Sequence, residues 1–299
     1  MENKKDVREF LMSRRSRITP AEAGLPAYGG TRRVAGLKRE EVAMLAGVST
    51  EYYARLERGN LQGVSSNVLE SLAAALHLDE AERAHLVDLA KAAVPAQAAA
   101  PRKARAELRP SVQRILGVMT GTPAYVRNSR MDILAANDLC FTLYAGILTP
   151  HALPLNLGRF MFLDPRSRDF FLEWETIADD LAAALRTESG RNPRDRALNS
   201  LIGDLAAGSS EFSTRWARHN VRFHRSARKT LHNPLVGDIE LTGDALELPG
   251  EGLTLIAYTA EPGTDHKEKL DFLASWSARQ QAAVGPAAAE QPQAVNPQN

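Results

Sequence analysis

At 299 residues the chain is long enough for two domains, each with its own core. Apolar content of 44% and charged content of 24% are ordinary for a soluble globular protein. Cys140 is the single cysteine, which excludes an intrachain disulfide and a cysteine zinc cluster. No run approaches the ~20 apolar residues of a membrane span, and the opening MENKKDVREF lacks a signal-peptide core. These features predict a cytoplasmic protein with no membrane partner. The net charge of +1 hides an asymmetry. In residues 1–60 twelve cations face eight carboxylates, a local +4 that favours phosphate partners.

In chain order, Asp6–Arg17 reads as a helix with Val7, Phe10 and Leu11 on one face. Ile18–Gly36 holds Pro20, Gly24, Pro26, Gly29 and Gly30 and reads as a loop. It ends on Arg32 and Arg33, candidate phosphate contacts or solvated loop charges. Leu37–Gly59, LKREEVAMLAGVSTEYYARLERG, carries two short helical stripes joined at Gly47, which permits a sharp helix end. Ser49 is placed to cap the second helix. Tyr53 and Leu56 point inward, while Thr50, Glu51, Tyr52 and Arg55 share the other side. This is a helix-turn-helix, and that side is the one a major groove would meet. Ser65–Leu78 and a segment opened by Asp79-Glu80-Ala81-Glu82 add two helices, the second with acids at its dipole-favoured start. Five helices make an all-α domain over residues 1–92.

Residues 93–109 read as an Ala/Pro linker, in which Arg102, Lys103 and Arg105 are solvated or phosphate-facing. A second domain, 110–276, opens with a helix at Ser111–Met119 and a hairpin, Ala124–Arg127 and Asp132–Ala136. Helices follow at Asn137–Ala145, Ser167–Arg186, Pro193–Ala207 and Ser210–His219. Short strands come next at Val221–Ser226, Lys229–His232, Asp238–Leu241, Ala245–Leu248 and Leu253–Thr259, with a closing helix at His266–Trp276. The order predicts an α+β domain with helices on one face of an antiparallel sheet, PAS-like in layout. Residues 277–299 read as a disordered tail.

The wording GLKREEVAMLAGVSTEYYARLERG resembles the XRE-type (lambda-repressor-like) helix-turn-helix. Together with ILAANDLCFTLY, WARHNVRFHRSARKTLHNPLVGDIEL and LTLIAYTAEPGT it is similar to the MmyB-like transcriptional regulators. The resemblance implies a sequence-specific regulator that binds a double-stranded DNA operator, with a PAS-like domain holding a small apolar, fatty-acid-like ligand. It puts Arg39 at the DNA backbone or an adjacent base, and pairs Arg15 with Glu57 as a structural ion pair. The DNA-contact set is then Arg32, Arg33, Arg39, Ser49, Thr50, Glu51, Tyr52, Arg55 and Arg58. An arginine matches guanine O6 and N7 bidentately, and Glu51 is spaced to orient Arg55. Candidate ligand residues are Tyr125, Trp216 and Phe223, with Arg215, His219 or Arg222 for a carboxylate. One recognition helix covers few base pairs, so a homodimer on two half-sites is expected. A ligand that binds two states unequally would shift the DNA-competent population. No cofactor, metal or enzyme activity is expected: His219 and His224 lack partners of metal-ligand spacing, and no nucleophile elbow occurs. A helical protein-interaction module and an enzyme in the second half remain the alternatives.

Overall fold

The computed structural model describes residues 2–26, 34–94, 108–221, 226–249 and 252–284. Arg32, Arg33, Arg102, Lys103, Arg105, Arg222, Phe223 and His224 lie outside the described residues.

Five helices form the first unit: α1 (Glu2–Arg17), α2 (Arg39–Leu45), α3 (Thr50–Glu57), α4 (Ser66–Ala75) and α5 (Glu80–Ala93). Local chemistry sets their ends. The Ser49 hydroxyl accepts from the Tyr52 amide at 3.1 Å, and Ser65 accepts from Val68. Asp79 and Glu82 form a reciprocal capping box. Val7, Phe10, Leu11, Val42, Tyr53, Leu56, Leu72 and Leu86 are buried together. Gly59 is required by close approach as well as by its φ of +93°. A Cβ there would lie 2.3 Å from the Lys4 carbonyl oxygen of α1.

The second unit runs α6 (Pro110–Val118), β1 (Ala124–Asn128), β2 (Asp132–Ala136), α7 (Asp138–Leu143), β3 (Leu155–Asn156), α8 (Leu157–Leu163), α9 (Arg166–Phe170), α10 (Trp174–Arg191), α11 (Arg196–Gly208), α12 (Ser210–Trp216), β4 (Ser226–Asn233), β5 (Gly237–Leu248), β6 (Leu253–Thr259) and α13 (Asp265–Val284). The six strands make one antiparallel sheet in the order β3-β2-β1-β6-β5-β4. Its main core joins Tyr125, Ile133, Leu231, Ile239, Leu241, Ile256 and Tyr258 to α7–α12. The opposite face is not open. Ala124, Val126, Leu253 and Leu255 pack there against Val112 and Leu116 of α6. The expected single helical layer is therefore two unequal layers, and β1 is buried on both sides.

Other differences have local causes. The helix expected over Ser167–Arg186 breaks because Phe171 bridges Leu231 and the Leu172 amide donates to the Thr230 carbonyl at 3.1 Å. A pairing across the fold overrides helical period. Gly243 does not end a strand. It lies under the Tyr258 ring, where a Cβ would stand 2.8 Å from a ring carbon, and β5 runs straight through. The short β3 and α8 carry no period signal long enough to read. The last helix continues to Val284, past the expected start of the tail at Ser277.

The two units pack on each other through α10 against α5, with the segment after α12 lodged beside α1. Val221, expected in a strand, instead belongs to the core of the first unit. Arg14, 2% exposed, pairs with Glu82 at 2.8 Å and donates to the His219 carbonyl at 2.5 Å. Arg17 donates to the Arg218 carbonyl and to Asn220 Oδ1. Arg186 faces Asp6 at 3.8 Å, and Arg191 faces Asp88 at 3.5 Å.

Candidate functional site

The groove-facing surface is built from beneath. Glu57 is 1% exposed at the end of α3. It accepts from Arg15 Nε at 2.7 Å and from Arg39 Nε, and the Tyr53 hydroxyl stands 3.5 Å away. Arg15 also donates to the Leu37 carbonyl at 2.8 Å, tying α1 to the entrance of α2. Burial first, then the Glu57 charge, pushes the Tyr53 phenol well up, so it stays neutral. One carboxylate thus locks α1, α2 and α3, and Arg39 is half-exposed with its guanidinium already engaged.

Above this lock, Ser49, Thr50, Glu51, Arg55 and Arg58 are exposed, and Tyr52 is half-buried against the core. The Arg55 guanidinium lies over the Tyr52 ring, 4.8 Å from its centroid. The spacing to Glu51 had suggested a different partner. Stacking holds Arg55 out along the helix face with its donors free to reach an acceptor pair.

The second unit holds a cavity of about 40 Å³ between sheet and helix. Tyr125, Arg127 and Lys229 form the sheet side; Ile177, Asp180, Leu181 and Ala184 of α10 form the roof, and Met131 and Leu157 complete the lining. Burial, and then Arg127, pulls the Lys229 ammonium down to about 8, with Asp180 opposing. Arg127 donates to Met131 Sδ at 2.9 Å and to the Asn128 carbonyl. Behind Tyr125, the hydroxyls of Tyr144 and Tyr258 meet at 2.8 Å.

Of the ligand candidates, Tyr125 lines this cavity and the others described do not. Arg215 is held by Glu175, Asp179 and Glu211. Trp216 stacks on Phe212 and lies under Arg186, 3.7 Å from the guanidinium. His219 is at the junction of the two units, 3.4 Å from Glu9. Burial, then Arg186 and Arg14, pulls its imidazole down to about 4. Sequence reasoning missed Lys229 and Arg127. Their signal was present: both alternate with apolar residues at inward strand positions, where a cation is out of place. Among the described residues no group of three His, Cys, Asp or Glu side chains is placed to hold a metal, and no helix is long and apolar enough to cross a membrane.

Comparison with protein families adds two matches. A helix-turn-helix domain model covers residues 30–86. The model of the MmyB-like transcription regulator ligand binding domain covers residues 108–273, more than half of the chain. The chain belongs to the MmyB-like transcription regulators. Comparison with curated proteins gives no match. The MmyB-like domain contains the cavity and the helix-turn-helix match contains the α2–α3 surface. The two matches together make the chain a ligand-responsive DNA-binding regulator.

Proposed function

We propose that this regulator reads an operator with the exposed face of α3, as a homodimer on two half-sites, and senses a small apolar ligand carrying an anionic head, of the fatty-acid class. The observation that carries the DNA reading is the α3 face: a row of exposed polar side chains on a helix anchored through buried Glu57. Arg55 is the candidate base reader. Arg39 and Arg58 are candidate phosphate contacts. A single such helix spans too few base pairs for selective binding, which favours two copies about one DNA turn apart. The cytoplasm is the proposed compartment, because the operator has to be reached there.

For the ligand, the support is the cavity's composition. Leu157, Ile177, Leu181 and Ala184 offer apolar walls, and Lys229 and Arg127 offer buried positive charge for a carboxylate. These two replace Arg215 and His219 as the proposed head-group contacts. Binding, with no catalysis, accounts for the site. Selection from a randomised DNA pool with the full chain tests the main reading. Enrichment of a sequence with two related half-sites is expected. A pool that stays random would overturn it and leave a protein-interaction module.

A further inference from the structure

Helix α10 is shared between the two halves of the molecule. Ile177, Asp180, Leu181 and Ala184 recur at three- and four-residue spacing and roof the cavity. Arg186, Gly190 and Arg191 lie further along the same helix and meet the DNA-binding unit. Arg186 sits roughly half a turn, and Gly190 roughly a third of a turn, round the helix from the roof residues. At Gly190 the fit is tight. A Cβ there would stand 2.4 Å from a His85 ring carbon, and His85 in turn packs edge-on against Phe10 of α1 at 5.0 Å. Burial, then Arg186 and Arg14, holds the His85 imidazole down at about 3, so the ring is neutral packing material.

The cavity has room for only a few waters. Any guest with an alkyl tail must push a wall aside. On the floor, β1 resists because it is hydrogen-bonded to β2 and β6 and buried on both faces, and Lys229 comes from edge strand β4, which is paired with β5 along its whole length. The roof is one helix, and its other sides rest on α5 of the DNA-binding unit and on α12 of its own unit. We infer that α10 is the coupling element of this regulator: a guest in the cavity lifts α10, and the helix carries the displacement to the Gly190–His85 seat and loosens the docking of the DNA-binding unit. The inference rests on the cavity being the sensing site. A helix transmits such a shift as a rod, over roughly 20 Å from Ile177 to Gly190. Arg186 spreads it further, because it also donates to the Trp216 carbonyl at 2.6 Å. That carbonyl precedes the 217–221 segment bound by Arg14 and Arg17.

A guest built from the chain itself tests this without a ligand. Ala184→Leu fills the cavity from α10, with Leu181→Phe as the replacement if that variant does not fold. Hydrogen exchange is followed on the full-length protein. The expected result is at least tenfold faster exchange in α5 and residues 217–221, with β1 and β6 protected as in the wild type. Gly190→Ala, which forces the seat from the other end, gives the same pattern. Both variants shift affinity for the selected operator in the same direction. Unchanged exchange in α5 of the folded cavity-filled variant overturns the inference, and so does an equal rise throughout the second unit. Octanoate on the wild type separates the two readings. If octanoate neither binds nor alters exchange while Ala184→Leu still loosens α5, the fatty-acid reading falls and the coupling stands.

Discussion

The guanidinium of Arg55 rests over the ring of Tyr52, 4.8 Å from its centroid, on the one exposed face of α3. An arginine held this way presents two parallel donors to a base edge at little further entropic cost. Arg55→Ala is expected to weaken operator binding by about 1–3 kcal/mol and to relax preference at a single base pair. Competition against single-base operator variants reads this out. An equal loss on every sequence would make Arg55 a phosphate contact.

Glu57 serves two arginines of unequal burial. Glu57→Gln leaves Arg15, mostly buried, beside a neutral amide, at a cost to stability of roughly 3 kcal/mol in urea unfolding. Arg39 is half-exposed and regains water. Arg39→Ala should therefore cost less than about 1 kcal/mol of stability while weakening DNA binding. A Glu57→Gln loss as small as that of a surface pair would show that the lock is not what holds α3.

The helix-turn-helix was legible because its determinants are short-range: a glycine, a hydroxyl cap and two apolar stripes within Leu37–Gly59. The sheet was legible in its order but not in its interruptions. Phe171 leaves its helix for a partner 60 positions away, at Leu231. The cavity was hardest to read, because a lysine alternating with apolar residues is a weak signal until its register beside Leu241 faces it toward α10. Trp216 and Arg215 misled for the converse reason. Large aromatic and cationic side chains near the end of α12 suggest a binding pocket, yet one props Arg186 and the other closes a surface ion cluster.

Lys229 gives ligand binding a pH signature. Its ammonium form, the one that attracts a carboxylate, predominates below about 8 and is lost above it. Octanoate affinity measured by calorimetry should fall as pH rises from 7 to 9, whereas 1-octanol affinity should not. Lys229→Met should weaken octanoate binding and flatten its pH dependence. A wild-type profile that is flat for both compounds would remove Lys229 from the head-group site.

His85 and His219 act on stability in the opposite pH range. Both imidazoles are held neutral among Arg14, Arg186, Arg17, Arg191 and Lys5, with Glu9 the nearby acid for His219. The unfolded chain takes up these protons near pH 6.5 and the folded chain does so only at about 4 or below, so stability is full above 6.5 and declines as pH falls. The urea midpoint should drop between pH 7 and pH 5. His219→Asn tolerates the φ of +53° and should flatten that slope. A slope untouched by this change would assign the acid sensitivity elsewhere.

Val221 lies in the core of the DNA-binding unit although the sheet-bearing unit supplies it, and the His219 carbonyl next to it is the acceptor for buried Arg14. The ribosome delivers the five N-terminal helices first, and the residues that complete their core arrive on the order of ten seconds later at ordinary elongation rates. Over that interval a nascent chain has a recognition helix on an unfinished support. The last apolar contact of the DNA-binding core and the carbonyl acceptor of Arg14 are thereby supplied only after most of the sensor has been made.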